Sequence, residues 1–297
     1  VAYVRGEFST RDGRVLVEIE IRRQGANRVQ VDRSPLRRRR DLRTRVRAVL
    51  FGPFDLPVVI GDPARRRTFL DDVAVSLHPA GDTLSSAYDK ALRQRNRLLK
   101  EWDGRGTPAG IEAWDDQLVA AGAALIRARA GAADALAAPA DAAFRAVADY
   151  GLLVRYLPNV DADDDVQATF RERLAERRHD ELTRRASLVG PHRDDLELSV
   201  RDLGARAAAS HGETWSTALS LRLAQAACVE DAIGEPPLLL VDDPYSALDP
   251  ARRDRLAEDL AARRGQVVIS LADEADLPAR AAAIWDVRAG AVGPRGT

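Results

Sequence analysis

The chain contains no methionine, one cysteine and only two lysines, Lys90 and Lys100, in 297 residues. A lone cysteine, Cys228, excludes an intramolecular disulfide and any Cys-x-x-Cys metal site, a usage that fits a reducing cytosol. No apolar run is long enough to span a bilayer. Val1 to Thr10 alternate with charge and lack the apolar stretch of a signal peptide. The expectation is a cytoplasmic protein with no membrane partner. The missing methionine implies that Val1 is not an ordinary translated start; the reading adopted is that native residues precede it, rather than that a rare start codon was read as valine. A dominant charge sign is also absent: the formal net charge is −1. Any binding of a polyanion must therefore come from a local patch.

What is present is a globular composition, 45% hydrophobic and 31% charged, sufficient for one or two domains with a large core. All basic residues other than the two lysines are arginine, which together with the many alanines reflects a GC-rich genome. Eight arginines, Arg33, Arg37, Arg38, Arg39, Arg40, Arg43, Arg45 and Arg47, crowd one short stretch. Arg37–Arg40 are the candidate phosphate contacts, giving sequence-independent, salt-sensitive binding to DNA; the alternative is a solvated helix face. No aromatic-rich platform accompanies them, which argues against base stacking. The acidic run 161–165 reads as a solvated loop.

Residues 1–31 alternate polar and apolar around Asp12-Gly13, which predicts an antiparallel ribbon. Helices are expected over 36–48, from Pro63 to about Val75, over 85–102, over 111–129 and, alanine-rich, onward to Gly151. Strands are expected at 49–51, 152–157, 187–189, 196–200, 238–241 and 266–270, and further helices over 166–185, 214–230 and 252–263.

The strongest chemical signal is the apolar strand Leu238-Leu-Leu-Val241 followed by Asp242 and Asp243. In open α/β sheets ligands bind at the carboxyl ends of strands, so both acids point at a ligand site. Asp242 suits a magnesium ion held largely through water, and Asp243 suits orientation of an attacking water. Ser246, Leu248 and Asp249 then resemble the D-loop that follows the Walker B strand of ABC-type ATPases. Upstream, Ser210, Gly212 and Glu213 open a helix and resemble the ABC signature motif, with free N–H groups and a hydroxyl facing an anion. Taken alone, the same residues make an ordinary helix cap. His192 and His211 belong to no pair at metal-ligand spacing.

Residues 53–71 resemble the signature of the RecF family: Gly61, Pro63, Arg66, Arg67, Phe69, Leu70 and Asp71 fall where that family has them. Gly190, Pro191, His192, Arg193, Asp194 and Asp195 resemble a second RecF hallmark. Phe54, Pro244 and Ala247 depart from the family pattern. The Arg66–Arg67 pair admits two roles, a tie between arm and head through carboxylates such as Asp62 or Asp71, and a direct role near nucleotide or DNA.

The resemblance implies an α/β fold. It would be an ABC-type ATPase head with the P-loop NTPase fold, incomplete at the amino terminus, carrying an antiparallel β ribbon and a helical arm. It implies an ATPase lobe with ribbon over 1–75, an arm over 76–151 and a second ATPase portion over 152–297. It also implies ATP and Mg2+ as cofactors, an ATP-dependent homodimer, DNA at single-strand gaps, RecO and RecR as partners, and a part in the SOS response. Asp243 would be the catalytic residue, and Ser210, Gly212 and Glu213 would reach the nucleotide of the opposite subunit. The G-x-x-x-x-G-K-[ST] loop of such ATPases does not occur in the 297 residues. These residues alone are therefore expected to be inactive, while the whole protein would be a weak DNA-dependent ATPase. An ABC transporter subunit would share the Asp242–Asp249 features but not the two RecF stretches. A DNA-binding or interaction protein without ATPase activity is the other alternative.

Overall fold

The computed structural model describes residues 1–36, 39–162, 164–201, 203–278 and 280–295, with Arg39 and Arg40 in backbone only. Arg37 and Arg38 and the side chains of Arg39 and Arg40, named above as candidate DNA contacts, lie outside what is described.

The chain opens with a four-stranded antiparallel sheet, β1 (Ala2–Thr10), β2 (Gly13–Ile21), β3 (Arg28–Val31) and β4 (Ser34–Pro35). The ribbon turns at Arg11–Asp12, with Thr10 opposite Gly13. Its alternation buries Val15, Val17 and Val31 on one face. A short helix α1 (Arg39–Arg45) leads to β5 (Ala48–Phe51), α2 (Leu56–Ile60) and α3 (Pro63–Leu77), where Pro63 sits in the first turn, its missing N–H costing nothing. Then come α4 (Leu84–Glu101) and α5 (Ile111–Val147).

Helix α5 is a single element of 37 residues, where the sequence suggests two. Pro139 lies inside it and cannot donate to the carbonyl of Ala135. That carbonyl instead accepts the thiol of Cys228, 3.2 Å away. The only cysteine thus satisfies the group that the proline leaves free, and the helix runs on.

Strand β6 (Leu152–Leu157), helix α6 (Val166–Arg184), strands β7 (Asp195–Val200) and β8 (Leu203–Gly204), and the short α7 (Ala205–Ala208) follow. β6, β7 and β8 form an antiparallel sheet. The strand expected at 187–189 does not form. Its backbone is held by side chains instead: Ser187 N–H donates to Asn96 Oδ1 at 2.7 Å and Leu188 N–H to Glu181 Oε1 at 2.7 Å.

The chain closes with α8 (His211–Ile233), β9 (Leu238–Asp242), α9 (Pro250–Ala262), β10 (Val267–Ser270) and the hairpin β11 (Trp285–Arg288) and β12 (Ala291–Pro294). β10, β9 and β5 make a parallel sheet in that order. Val49, Phe51, Leu239 and Val241 face the core, and Phe51 meets Trp215 of α8 edge-to-face at 5.4 Å. Leu50 and Val268 are exposed. The apolar run of β9 is therefore buried at alternate positions rather than throughout.

Besides the small cluster under the ribbon, two larger clusters form the interior among the described residues. One unites β5, β9, α8, α9, β6, β7 and the second half of α5. The other gathers Tyr88 of α4, Leu118 to Ile126 of α5, Phe170 of α6 and Val189. α5 runs through both. Among the described residues no helix is long and apolar enough to cross a membrane.

Candidate functional site

The carboxyl end of β9 carries Asp242, exposed, and Asp243, half-buried. Strand pairing sets Ser270 of β10 directly opposite Asp242, and the Ser270 hydroxyl donates to Asp242 Oδ1 at 2.5 Å. Asp243 takes a left-handed backbone, φ 47°, and its N–H donates to the Ser270 carbonyl at 3.0 Å. Aspartate tolerates that region better than most residues, at a modest cost. Ser270, which sequence patterning did not single out, thus holds both acids; its only signal was a polar residue ending an apolar strand.

Beyond the acids the chain forms a tight loop. Leu248 is buried, and Leu248 N–H donates to the Tyr245 carbonyl at 3.1 Å. Ser246 Oγ donates to the Asp243 carbonyl at 3.5 Å. Asp249 caps α9, its Oδ1 accepting Arg252 N–H at 3.0 Å, with Pro250 in the first turn.

The start of α8 lies against this loop. Trp215 Nε1 donates to the Pro244 carbonyl at 3.0 Å. A Cβ on Gly212 would stand 3.1 Å from the Ala247 carbonyl, so glycine permits the close approach. Ser210, Gly212, the Asp242–Asp243 pair and the Ser246–Asp249 loop, far apart in sequence, are therefore assembled in one region.

Ser210 and Glu213 form a reciprocal capping box: Ser210 Oγ accepts Glu213 N–H at 3.3 Å, and Ser210 N–H donates to Glu213 Oε2 at 2.8 Å. Glu213 differs from expectation. Its carboxylate is buried and also accepts Tyr150 Oη at 2.8 Å and the Arg201 guanidinium. Burial pushes its pKa up, but Arg201, the Ser210 N–H and Tyr150 outweigh that and hold it at about 2. A buried, paired anion is not a phosphate ligand; Glu213 positions Ser210.

Among the described residues no three His, Cys, Asp or Glu side chains group as a metal cage. Asp242, exposed and with no partner on Oδ2 among the described residues, matches the sparse protein ligation that magnesium takes beside phosphates and water.

The residues of the two family stretches meet elsewhere, in a buried clasp between α3, α5 and the segment before β7. Arg66 binds Asp195 in bidentate fashion, at 2.6 and 2.9 Å, and donates to the Gly61 carbonyl. Arg67 donates to the Asp194 carbonyl at 2.8 Å. Arg129 forks onto Asp71 at 2.7 and 3.1 Å and reaches both the Pro191 carbonyl and Asp194. Asp194 also takes Tyr156 Oη and Asn159 N–H. A Cβ on Gly61 would lie 2.3 Å from the Pro57 carbonyl, and one on Gly190, at φ 130°, would strike Tyr88. His192 Nδ1 faces Tyr88 Oη at 2.7 Å and Nε2 faces the Ser187 carbonyl. Arg193 is exposed. Arg66 and Arg67 make structural contacts, but these join residues 1–75 to 152–297 rather than arm to head; the residue that comes from the arm is Arg129. The partners are Asp195 and the Asp194 carbonyl; Asp71 is held by Arg129, and Asp62 pairs with Arg206. Sequence reasoning missed Arg129, although an arginine on the apolar face of α5 was a visible signal.

No family model matches the chain. It is 38% identical to the DNA replication and repair protein RecF of Cutibacterium acnes over 93% of its own length and 77% of that protein, and 38% identical to that of Kineococcus radiotolerans over 94% and 78%. The chain belongs to the RecF family. A solved structure of the recombination mediator protein RecF with ATP, from the RecFOR pathway, superposes with a TM-score of 0.83 at 23% identity, covering 99% of this chain and 80% of that one. The Smc head domain of Pyrococcus furiosus gives 0.51 at 17%, covering 97% and 73%. The fold is thus that of RecF and the SMC heads, the ABC-type ATPase fold expected from the motifs.

Proposed function

We propose that this RecF-family protein is an ATP-dependent DNA-binding protein of recombinational gap repair, in which nucleotide closes a homodimer on DNA. The observation that carries the reading is the assembly of Asp242, Asp243, the Ser246–Asp249 loop and the Ser210–Gly212 helix start in one region, joined by the Gly212–Ala247 approach. Mg2+–ATP supplies the phosphoanhydride bond whose hydrolysis reopens the dimer. Asp242, oriented by Ser270, would hold the metal, and Asp243 would orient the attacking water. Ser210 Oγ–H and the first N–H groups of α8 would donate to the γ-phosphate bound by the other subunit. Closure is favoured because only the dimer makes those last bonds.

In this reading residues 76–151 act as an arm on an ATPase head formed by 1–75 and 152–297. The protein works in the cytoplasm with RecO and RecR at single-strand gaps and in the SOS response. A transporter subunit is disfavoured by the RecF clasp.

The test is light scattering on the product of the complete reading frame, with ATP, Mg2+ and DNA. A nucleotide-dependent dimer that Ser210→Arg abolishes is expected; a monomer under all conditions overturns the reading and favours a DNA-binding or interaction protein without ATPase activity. In the same preparation Asp242→Asn should reduce ATP turnover to background, and unchanged turnover removes the metal role from Asp242.

A further inference from the structure

Both lysines of the chain lie on one helix. Lys90 and Lys100 are exposed on α4, and Arg93 and Arg97 stand between them at helical spacing, also exposed. Steps of three, four and three residues place all four on one face. The opposite face of α4 buries Tyr88, Ala91, Arg95 and Leu99, which fixes the basic face outward. The stripe continues past the helix end, where Arg185 Nη1 donates to the Lys100 carbonyl at 3.3 Å and adds a fifth exposed cation.

Helix α6 shows that this arrangement is not simply the arginine-rich background. It exposes a comparable number of cations, but three of them stand beside carboxylates in exposed contacts: Arg171 with Asp116 at 3.5 Å, Arg173 with Asp161 at 3.4 Å and Arg177 with Asp180 at 3.1 Å. Of the four exposed cations of α4, only Arg97 has a carboxylate partner among the described residues, Glu101 at 2.8 Å, in an exposed contact that exchanges readily. Asp89 and Glu101 flank the stripe. Among the described residues no carboxylate pairs with Lys90, Arg93 or Lys100. Lysine, a hydrated point charge without a planar fork, suits indifferent contact with phosphates rather than fixed internal pairing.

We propose that the exposed face of α4 binds the phosphate backbone of DNA. The idea rests on the DNA-binding reading above and assigns it a surface. From Lys90 to Lys100 the helix rises about 15 Å, roughly the axial length of four phosphates at about 3.4 Å each along one strand. No aromatic residue interrupts the stripe, so contact is independent of base sequence.

The test measures fluorescence anisotropy of labelled duplex and gapped DNA against salt, on the complete gene product. Lys90→Gln, Arg93→Gln, Arg97→Gln and Lys100→Gln combined should reduce the slope of log K against log salt by about three, with at least roughly tenfold weaker binding at low salt. Arg171→Gln, Arg173→Gln and Arg177→Gln combined should leave the slope within about one unit of the parent. Acylation of Lys90 and Lys100, read by mass spectrometry on the unsubstituted protein, should fall when DNA is added, independently of any folding defect. A parent that binds DNA while the α4 variant keeps its slope and the two lysines stay reactive overturns this proposal alone. Equal loss in the α6 variant also overturns it. A parent that ignores DNA overturns it together with the reading it rests on.

Discussion

Arg129 is nearly inaccessible, yet its guanidinium meets Asp71, Asp194 and the Pro191 carbonyl. Burial disfavours its charge, but the two carboxylates outweigh that and raise its pKa. Removing one member of such a pair strands the other, so Arg129→Ala should lower stability by about 3–5 kcal/mol in urea unfolding. Arg129→Lys should recover little, because an ammonium cannot fork across Asp71. A loss under 1 kcal/mol would refute the clasp as a keystone. At this scale the sequence was partly legible. Asp242, Ser210 and Gly212 stood out through their motif positions, and the structure sets the helix start at Gly212 against the loop that follows Asp242. Glu213 did not, because the residue that closes a capping box and the residue that ends a signature motif share one position, and only burial beside Tyr150 and Arg201 separates the two roles. Nor did Ser270, whose importance arises from strand register.

Helix α5 shows why elements were harder to bound than to detect. Its alanine-rich half and its amphipathic half differ in pattern, and Pro139 supports a break by local rules. The break is avoided through a long-range contact, Cys228 with the Ala135 carbonyl, which no local window contains. We expect Cys228→Val to cost about 1–2 kcal/mol by leaving that carbonyl unpaired. In a Pro139→Ala background, where the helix supplies its own N–H, the same change should cost little. Equal costs in both backgrounds, measured as a double-mutant cycle, would refute the coupling. The failed strand at 187–189 has a related cause: side chains of Asn96 and Glu181 take the backbone N–H groups that a ladder would have used. Strands β6 and β7, with clear alternation and a regular partner, lie within a residue of their expected bounds.

Over the whole molecule, α5 passes from one hydrophobic cluster to the other, and the clasp sits where it crosses. Movement of one cluster against the other would have to break buried ion pairs there. The clasp also makes stability depend on pH. Burial pushes His192 down to about 4 from its ordinary 6.5. As pH falls, the unfolded chain takes up that proton first, so the contribution is complete above pH 6.5 and declines toward pH 4. The loss should be on the order of 3 kcal/mol, and His192→Gln should flatten the decline. Glu213, held at about 2 against 4.5, contributes a further loss beginning below pH 4.5. A denaturation midpoint that stays constant from pH 7 to 4 would contradict the His192 environment. The thiol at Cys228 has a practical consequence of its own. It is buried and its pKa is raised to about 11 by burial, so maleimides and iodoacetamide should pass over it in the native fold. Fluorophores could then be attached to cysteines introduced at chosen surface positions without first removing it, and its slow modification would serve as a clock for unfolding.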